Sequence, residues 1–465
     1  MPIIQLILTA IACFALWRFT RKQSPIVVAG FLIRAFAGQV LFWISWLHLP
    51  FARSLQIGNG FWFFAIDGPW YLGYADTLIP RGPWAIITLS GTYPSYTFVQ
   101  AFTIFCAAFG IVASTGILFN CAAYLATCAL IERIGDGRKT FTLAAIAFGP
   151  AMILWSLQPL KDTFFFLLIV ALIYALQRWQ EAPRNWLPAA AALLMLIYVI
   201  AGTRWYFAGL AWGISAIFFV MSSIPTRRWW PALLLFLLLG QAFRFGGTTD
   251  IPTPVRNALA GRRTPAPVVA VAPVPAPVVA PVVTPVKTPV KAPAKAPVVA
   301  PVRAPVVAPV VALAKEVKYL ATAPRKGFES TGGATAIHPG AAAPAPIATG
   351  AVATFVPRAA AQPLKLVRIG GGRGFWFFAD FDTVVFSAVV LFATVLCVRA
   401  LRSGARITPL FVFVVLLFVA IAGPMFYSVT NFGTLFRLRS MLYVLAAIAP
   451  LTLRRTPEPA PIESR

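Results

Sequence analysis

The residues of this chain that could do chemistry are few and widely separated. Only 13 of 465 residues are Asp or Glu. Four short stretches set charged side chains where an apolar run ends. Asp67-Gly-Pro-Trp-Tyr71 follows the aromatic segment Gly60-Phe-Trp-Phe-Phe-Ala-Ile66. Lys161-Asp162 closes Trp155-Ser-Leu-Gln-Pro-Leu160. Arg204 and Tyr206 sit in Gly202-Thr-Arg-Trp-Tyr, and Asn431, Thr434, Arg437 and Arg439 lie in Asn-Phe-Gly-Thr-Leu-Phe-Arg-Leu-Arg. A charge beside hydrocarbon is expensive, so each of these is a functional candidate by default. Together they offer two carboxylates, a lysine and three arginines beside an aromatic rim. Such a set suits proton transfer on a phosphate-bearing molecule, with a carboxylate taking a proton or holding a metal while cations stabilise a leaving phosphate. Asp67 and Tyr71 are four apart and share one helical face. Gly68-Pro69 puts the carboxylate at a turn or helix start, where backbone donors hold it ionised. Plainer readings stand beside these. Asp67 also fits an N-cap or surface acid, Lys161–Asp162 an interfacial ion pair, and Arg437 and Arg439 contacts to lipid headgroups.

The elements that must position these groups are apolar helices. Hydrophobic residues make up 59% of the chain and the mean hydropathy is +0.81. Apolar runs recur at span length, which predicts an all-α polytopic membrane protein. A net charge of +26 would point to nucleic acid in a soluble protein. Here the basic residues cluster in short segments between apolar runs, the usual bias of cytoplasmic loops, which argues against nucleic acid as a partner and for the lipid bilayer. The five cysteines all lie in apolar runs without a disulfide or metal spacing, so they read as packing residues. The first apolar run is followed, not preceded, by Arg18, Arg21 and Lys22, which makes it a span rather than a cleavable signal.

Expected spans are 3–17, 26–48, 112–131, 141–156, 163–176, 186–200, 205–221, 229–243, 383–398, 407–426 and 441–453, eleven in all. Residues 93–131 are long enough for two crossings, but one crossing places every short basic cluster on a single side. The N-terminus then lies outside and the C-terminus in the cytoplasm. Residues 93–110 become an interfacial helix of the first external loop, with Thr97, Gln100 and Thr103 as its wet stripe. Arg34 is the one clear charge deep in a span.

Residues 1–250 read as an N-terminal membrane domain, 251–373 as an extracytoplasmic loop, 374–455 as C-terminal membrane helices and 456–465 as a cytoplasmic tail. Within the loop, about 264–311 is built from Ala, Pro, Val and Lys. Proline at such density rules out helix and sheet ladders and favours disordered, polyproline II-like chain. That insert reads either as a tolerated insertion or as a spacer whose lysines contact anionic cell-wall polymer. Gly-Phe-Trp-Phe-Phe-Ala occurs twice, at 60–65 and 374–379, as headgroup-level aromatic anchors or as two walls of a lipid-facing groove.

Three patterns in order give the chain a likeness. Asp67, Tyr71 and Ala75, then Pro150, Ser156, Lys161 and Asp162, then Asn431 through Arg439 resemble motifs of the bacterial GT-C superfamily of membrane glycosyltransferases, in particular its dolichyl-phosphate-mannose-protein mannosyltransferase-like subgroup. The Arg204/Tyr206 pair fits as well. The resemblance covers 26–250 and about 325–455. It implies a GT-C-like fold in a bacterial inner membrane and transfer of a sugar from a polyprenyl-phosphate donor to a glycan, lipid or protein acceptor at the outer face. By it, Asp67 is the base or a metal ligand and Asp162 the second acid. Tyr71, Lys161, Arg204, Asn431, Thr434, Arg437 and Arg439 then bind substrate and phosphate. It fixes no cofactor; a divalent metal held by Asp67 and Asp162 stays open, since no Asp-x-Glu pair follows Asp162. A lipid or polysaccharide transporter and a non-catalytic envelope scaffold are the alternatives.

Overall fold

The computed structural model describes residues 2–89, 95–134, 139–181, 186–247, 374–428 and 432–454, and these belong to one compact unit. The Pro-rich insert and the tail, with their expected disorder and partners, lie outside the described residues.

The described residues are helical almost throughout. Helices α1 (Pro2–Thr20) and α2 (Pro25–Trp46) lead into a short antiparallel hairpin, β1 (Gln56–Gly58) and β2 (Phe61–Trp62). Then come α3 (Asp67–Leu78), α4 (Pro83–Ile87), α5 (Tyr96–Phe109), α6 (Ala113–Ile134), α7 (Lys139–Phe148) and α8 (Pro150–Leu154). Helices α9 (Lys161–Glu181), α10 (Trp186–Thr203), α11 (Trp205–Thr226) and α12 (Trp229–Gly247) follow. After the insert come α13 (Gly374–Arg402), α14 (Pro409–Ser428) and α15 (Phe432–Ile448). Eight helices among the described residues are long and apolar enough to cross a membrane: α1, α2, α6, α9 to α12, and α13 over Phe381–Arg402. The chain is a multi-pass membrane protein. Among the described residues from 95 to 134, only α6 has span length.

Three expectations change. The run 141–156 is not one helix. Gly149-Pro150 splits it into α7 and α8, because proline has no N–H for the carbonyl four residues back. The freed groups find buried partners from elsewhere. Arg34, 1% exposed, donates to the carbonyls of Ile146 at 2.8 Å, Ala147 at 2.9 Å and Gly30 at 3.0 Å, and lies over the Tyr124 ring. The Ala151 amide, which would have served Ala147, instead donates to Asp382 Oδ1 at 2.9 Å. A cation thus ends one half-helix and an anion starts the next, each at the pole of the helix dipole that favours it.

The polar stripe of α5 faces protein rather than water. Thr97 and Thr103 are buried, and the Thr97 hydroxyl bonds the Val199 carbonyl and Thr203 of α10. Gln100 binds the carbonyls of Ile87 and Leu89. Polar residues on an otherwise apolar helix reach whichever partner is available; α10 supplies it for Thr97, and the end of α4 with Leu89 after it for Gln100.

The two Gly-Phe-Trp-Phe-Phe-Ala copies take different backbones. The first forms β2 and a turn of 3₁₀ helix, with Phe61 and Trp62 buried and the Trp62 indole donating to the Leu41 carbonyl, so these two rings are not headgroup anchors. The second begins α13, and its side chains lie outside the described residues.

Removing the Arg34 donors at constant bulk leaves two carbonyls bare in the interior. Arg34→Met should therefore lower stability by about 1–3 kcal/mol, read as a drop in the midpoint of unfolding in detergent micelles. An unchanged midpoint would mean that other donors serve the break.

Candidate functional site

Helices α9 and α15 run side by side in the same direction. At their starts Asp162 meets Arg437; past their ends Glu181 pairs with Arg454, and Arg454 bridges Arg406. The two clusters are about 30 Å apart along α9, at 1.5 Å per residue. The candidate residues gather at one end of the bundle, and Arg178, Arg406 and Arg454 lie at the other.

Each side chain reaches the cluster for a local reason. Asp67 opens α3, with Gly68-Pro69 in the first turn, as expected of a helix start. Tyr71, one turn on, is buried with its ring edge-on to Phe98. Burial raises the Tyr71 phenol well above its ordinary pKa, so it stays a neutral group at physiological pH. Lys161 and Asp162 begin α9, about 100° apart around its axis. Lys161 turns aside and donates to the Ser95 hydroxyl. Asp162 points inward and is completely buried. Arg204 occupies the break between α10 and α11, buried over the Phe165 ring. It donates to Asp162 Oδ1 and, at 2.9 Å, to the Tyr206 hydroxyl.

Arg437 joins the pieces. Its Nη1 donates to Asp67 Oδ2 at 2.6 Å and its Nε to Asp162 Oδ2 at 2.7 Å. One guanidinium is thus shared by two carboxylates that lie 370 and 275 residues away along the chain. The remaining nitrogen, Nη2, is buried without a hydrogen-bond partner among the described residues. Asp67 is the open end of this network, with 40% of its side chain exposed against none for Asp162.

The loop before α9 is held from behind. Asn120 in α6 donates to the carbonyls of Ser156 at 3.0 Å and Gln158 at 2.6 Å, and Gln158 donates to Gly60 in the hairpin. Gly116 lets α6 lie flush on this loop; a Cβ there would come within 2.7 Å of the Pro159 Cα. Ser95 and Asn120 escaped the sequence reading. A lone asparagine amid the apolar residues of α6 was the available signal for the second.

Arg439 does not join. The sequence reading put Arg437 and Arg439 ahead of the last span, but both lie on α15, which begins at Phe432. Two residues along a helix are about 200° apart, so the side chains leave in opposite directions. Arg439 is fully buried and donates to Thr383 Oγ1 at 2.7 Å, with Asp382 Oδ2 at 3.5 Å. That contact replaces a phosphate-binding role. Asn431, and the Thr434 side chain, lie outside the described residues.

The donor set does not fit a divalent metal. Both Asp162 oxygens are taken by guanidinium groups, Asp67 is tied to one of them, and Lys161 adds a further cation next to Asp162. No group of three His, Cys, Asp or Glu side chains able to hold a metal occurs among the described residues. A cavity of about 390 Å³ does occur at the far end, lined by Gln177, Glu181, Thr408 and Arg454 among others, away from this cluster.

The chain matches no family model, and no curated protein or solved structure matches it significantly.

The network has one buried and one open carboxylate, and they should respond differently. Asp162→Asn leaves two arginines facing each other and should destabilise by about 3–5 kcal/mol. Asp67→Asn, at the exposed end, should cost less than about 1 kcal/mol. Equal losses in detergent unfolding would contradict the burial contrast.

Proposed function

We propose that the protein is an integral membrane glycosyltransferase of GT-C type, moving a sugar from a polyprenyl-phosphate donor to an acceptor at the outer face of a bacterial inner membrane. The carrying observation is the shared guanidinium: Arg437 draws Asp67 and Asp162 together, and Asp162 brings in Arg204, with Lys161 one residue from Asp162. The motif likeness supplies the chemistry. In this reading the chain crosses the bilayer eleven times, with the shorter apolar helices completing the eight long ones.

The roles follow from exposure and pairing. Asp67 Oδ1 accepts no hydrogen bond among the described residues, so it can take the proton of an acceptor hydroxyl. The acceptor oxygen bonds to the anomeric carbon as the bond from that carbon to the phosphate oxygen breaks. The phosphate leaves with the electron pair and is met by the Arg437 guanidinium, 21% exposed beside Asp67, while Lys161 stays turned toward Ser95. Asp162 has no lone oxygen to offer a substrate. It serves by holding Arg204 and Arg437 in place, a positioning role rather than that of a second catalytic acid.

The transporter alternative draws on the broken helix and its buried charges, features that many transporters share. Here, however, Arg34 is consumed by backbone carbonyls and Asp382 by a backbone amide, a tyrosine and an arginine. Those contacts favour a fixed brace over a transport pathway.

Asp67→Asn should abolish glycan transfer in membranes while the protein still inserts and folds; retained transfer removes Asp67 from the mechanism. A reporter fused after Arg138 should give a cytoplasmic signal, and an external one would invert the proposed orientation.

A further inference from the structure

The buried pair Asp382–Arg439 takes no part in the site just described, yet it touches α15, which carries Arg437, and α8, which leads into Lys161 and Asp162. Asp382 sits near the start of the apolar part of α13. Its Oδ1 accepts from the Ala151 amide at 2.9 Å and from the Tyr443 hydroxyl at 3.1 Å. Its Oδ2 faces Arg439 Nη1 at 3.5 Å, and that nitrogen also bonds the neighbouring Thr383 hydroxyl at 2.7 Å. Both side chains are completely buried, and the Arg439 guanidinium lies 5.7 Å from the centre of the Phe386 ring.

The consequences run in two directions. On one side, Ala151 belongs to the first turn of α8. This helix is only five residues long and delivers Trp155, then the loop that ends at Lys161 and Asp162. On the other side, Arg439 is two residues beyond Arg437 on α15. Fixing Arg439 fixes the rotation of that helix and its position along its axis, and so the direction in which Arg437 leaves it. The Trp155 ring and the Arg437 guanidinium, one from each element, lie 5.9 Å apart. Through one carboxylate, the start of α8 and the arginine face of α15 are held at a set spacing.

We propose that Asp382 and Arg439 are positioning residues: their pair sets the register between α8 and α15 and thereby aims Arg437 at Asp67 and Asp162. Burying two charges for stability alone is a poor bargain, since a well-packed apolar pair is often as good or better. Registry of two elements against each other is the use in which a buried ionic pair does what apolar contact cannot: here the ion pair, flanked by the Ala151, Tyr443 and Thr383 hydrogen bonds, admits one alignment where greasy surfaces admit several. The inference builds on the site proposed above, but its test needs no substrate, so loss of the glycosyltransferase reading would leave it standing.

The test is a double-mutant cycle on the Asp67–Arg437 pair, using Asp67→Asn and Arg437→Gln, measured by equilibrium unfolding of the full chain in mixed detergent micelles. The coupling between these two positions is determined in the natural background, with Asp382→Asn, and with Asp382→Leu combined with Arg439→Leu. The apolar pair keeps the core filled and guards against a variant that simply fails to insert. The expected result is a coupling that is present in the natural background and lost in both altered ones. A coupling that persists unchanged in a variant that folds, even one less stable overall, would reduce the pair to a brace and overturn the proposal.

Discussion

One guanidinium shared between two carboxylates organises this end of the molecule. In a bundle whose neighbours are apolar, an unpaired charge has no water to turn to, and leaving one bare costs far more than an ordinary contact returns. Arg437 answers to Asp67 at the start of α3 and to Asp162 at the start of α9, while Asp162 answers also to Arg204 between α10 and α11. Four separate parts of the chain must therefore converge within hydrogen-bond reach. The constraint is stronger than apolar packing, which would tolerate a helix sliding along its neighbour. It also grades the cluster from the inside outward. Asp162 is sealed and fully occupied, and Asp67 faces the surroundings with an oxygen to spare.

The same scarcity of charge explains the break between α7 and α8. A proline inside an apolar helix frees backbone groups that lipid cannot satisfy. The chain meets this with Arg34 from α2 for the carbonyls and Asp382 from α13 for the amide. Three of the buried charges, Arg34, Asp382 and Arg439, thus serve the backbone and each other. The break has a use: it ends the long run early and lets the chain turn through Trp155 to Lys161, where the site begins. Asn120 and Gln158 hold that turn from the side, and Gly116 lets it lie close.

Much of this was legible in the residues, and its limits are instructive. Apolar runs mark helices because a span must satisfy its own backbone, so α2, α6 and α9 to α13 fall where composition puts them. Asp67 before Gly-Pro begins a helix for a local reason, and it does so here. Arg439 differs because the motif, expected ahead of the last span, lies within α15, where a spacing of two sends the side chains apart. The stripe of Thr97, Gln100 and Thr103 failed because a polar period says only that one face needs partners. The twin aromatic segments show a related limit: identical residues took a hairpin in one place and a helix in the other, with Phe61 and Trp62 closed against α2 in the first.

What the chain by itself determined is its kind: a multi-pass helical membrane protein with few acidic residues, since hydropathy and charge spacing are properties of local sequence. What tertiary structure alone decided is pairing. Which arginine reaches which carboxylate, that Arg34 serves a broken helix and that Ser95 receives Lys161 all depend on residues tens to hundreds of positions apart arriving at one place. No local propensity encodes that meeting, because the free energy that drives it appears only when the partners have left water together.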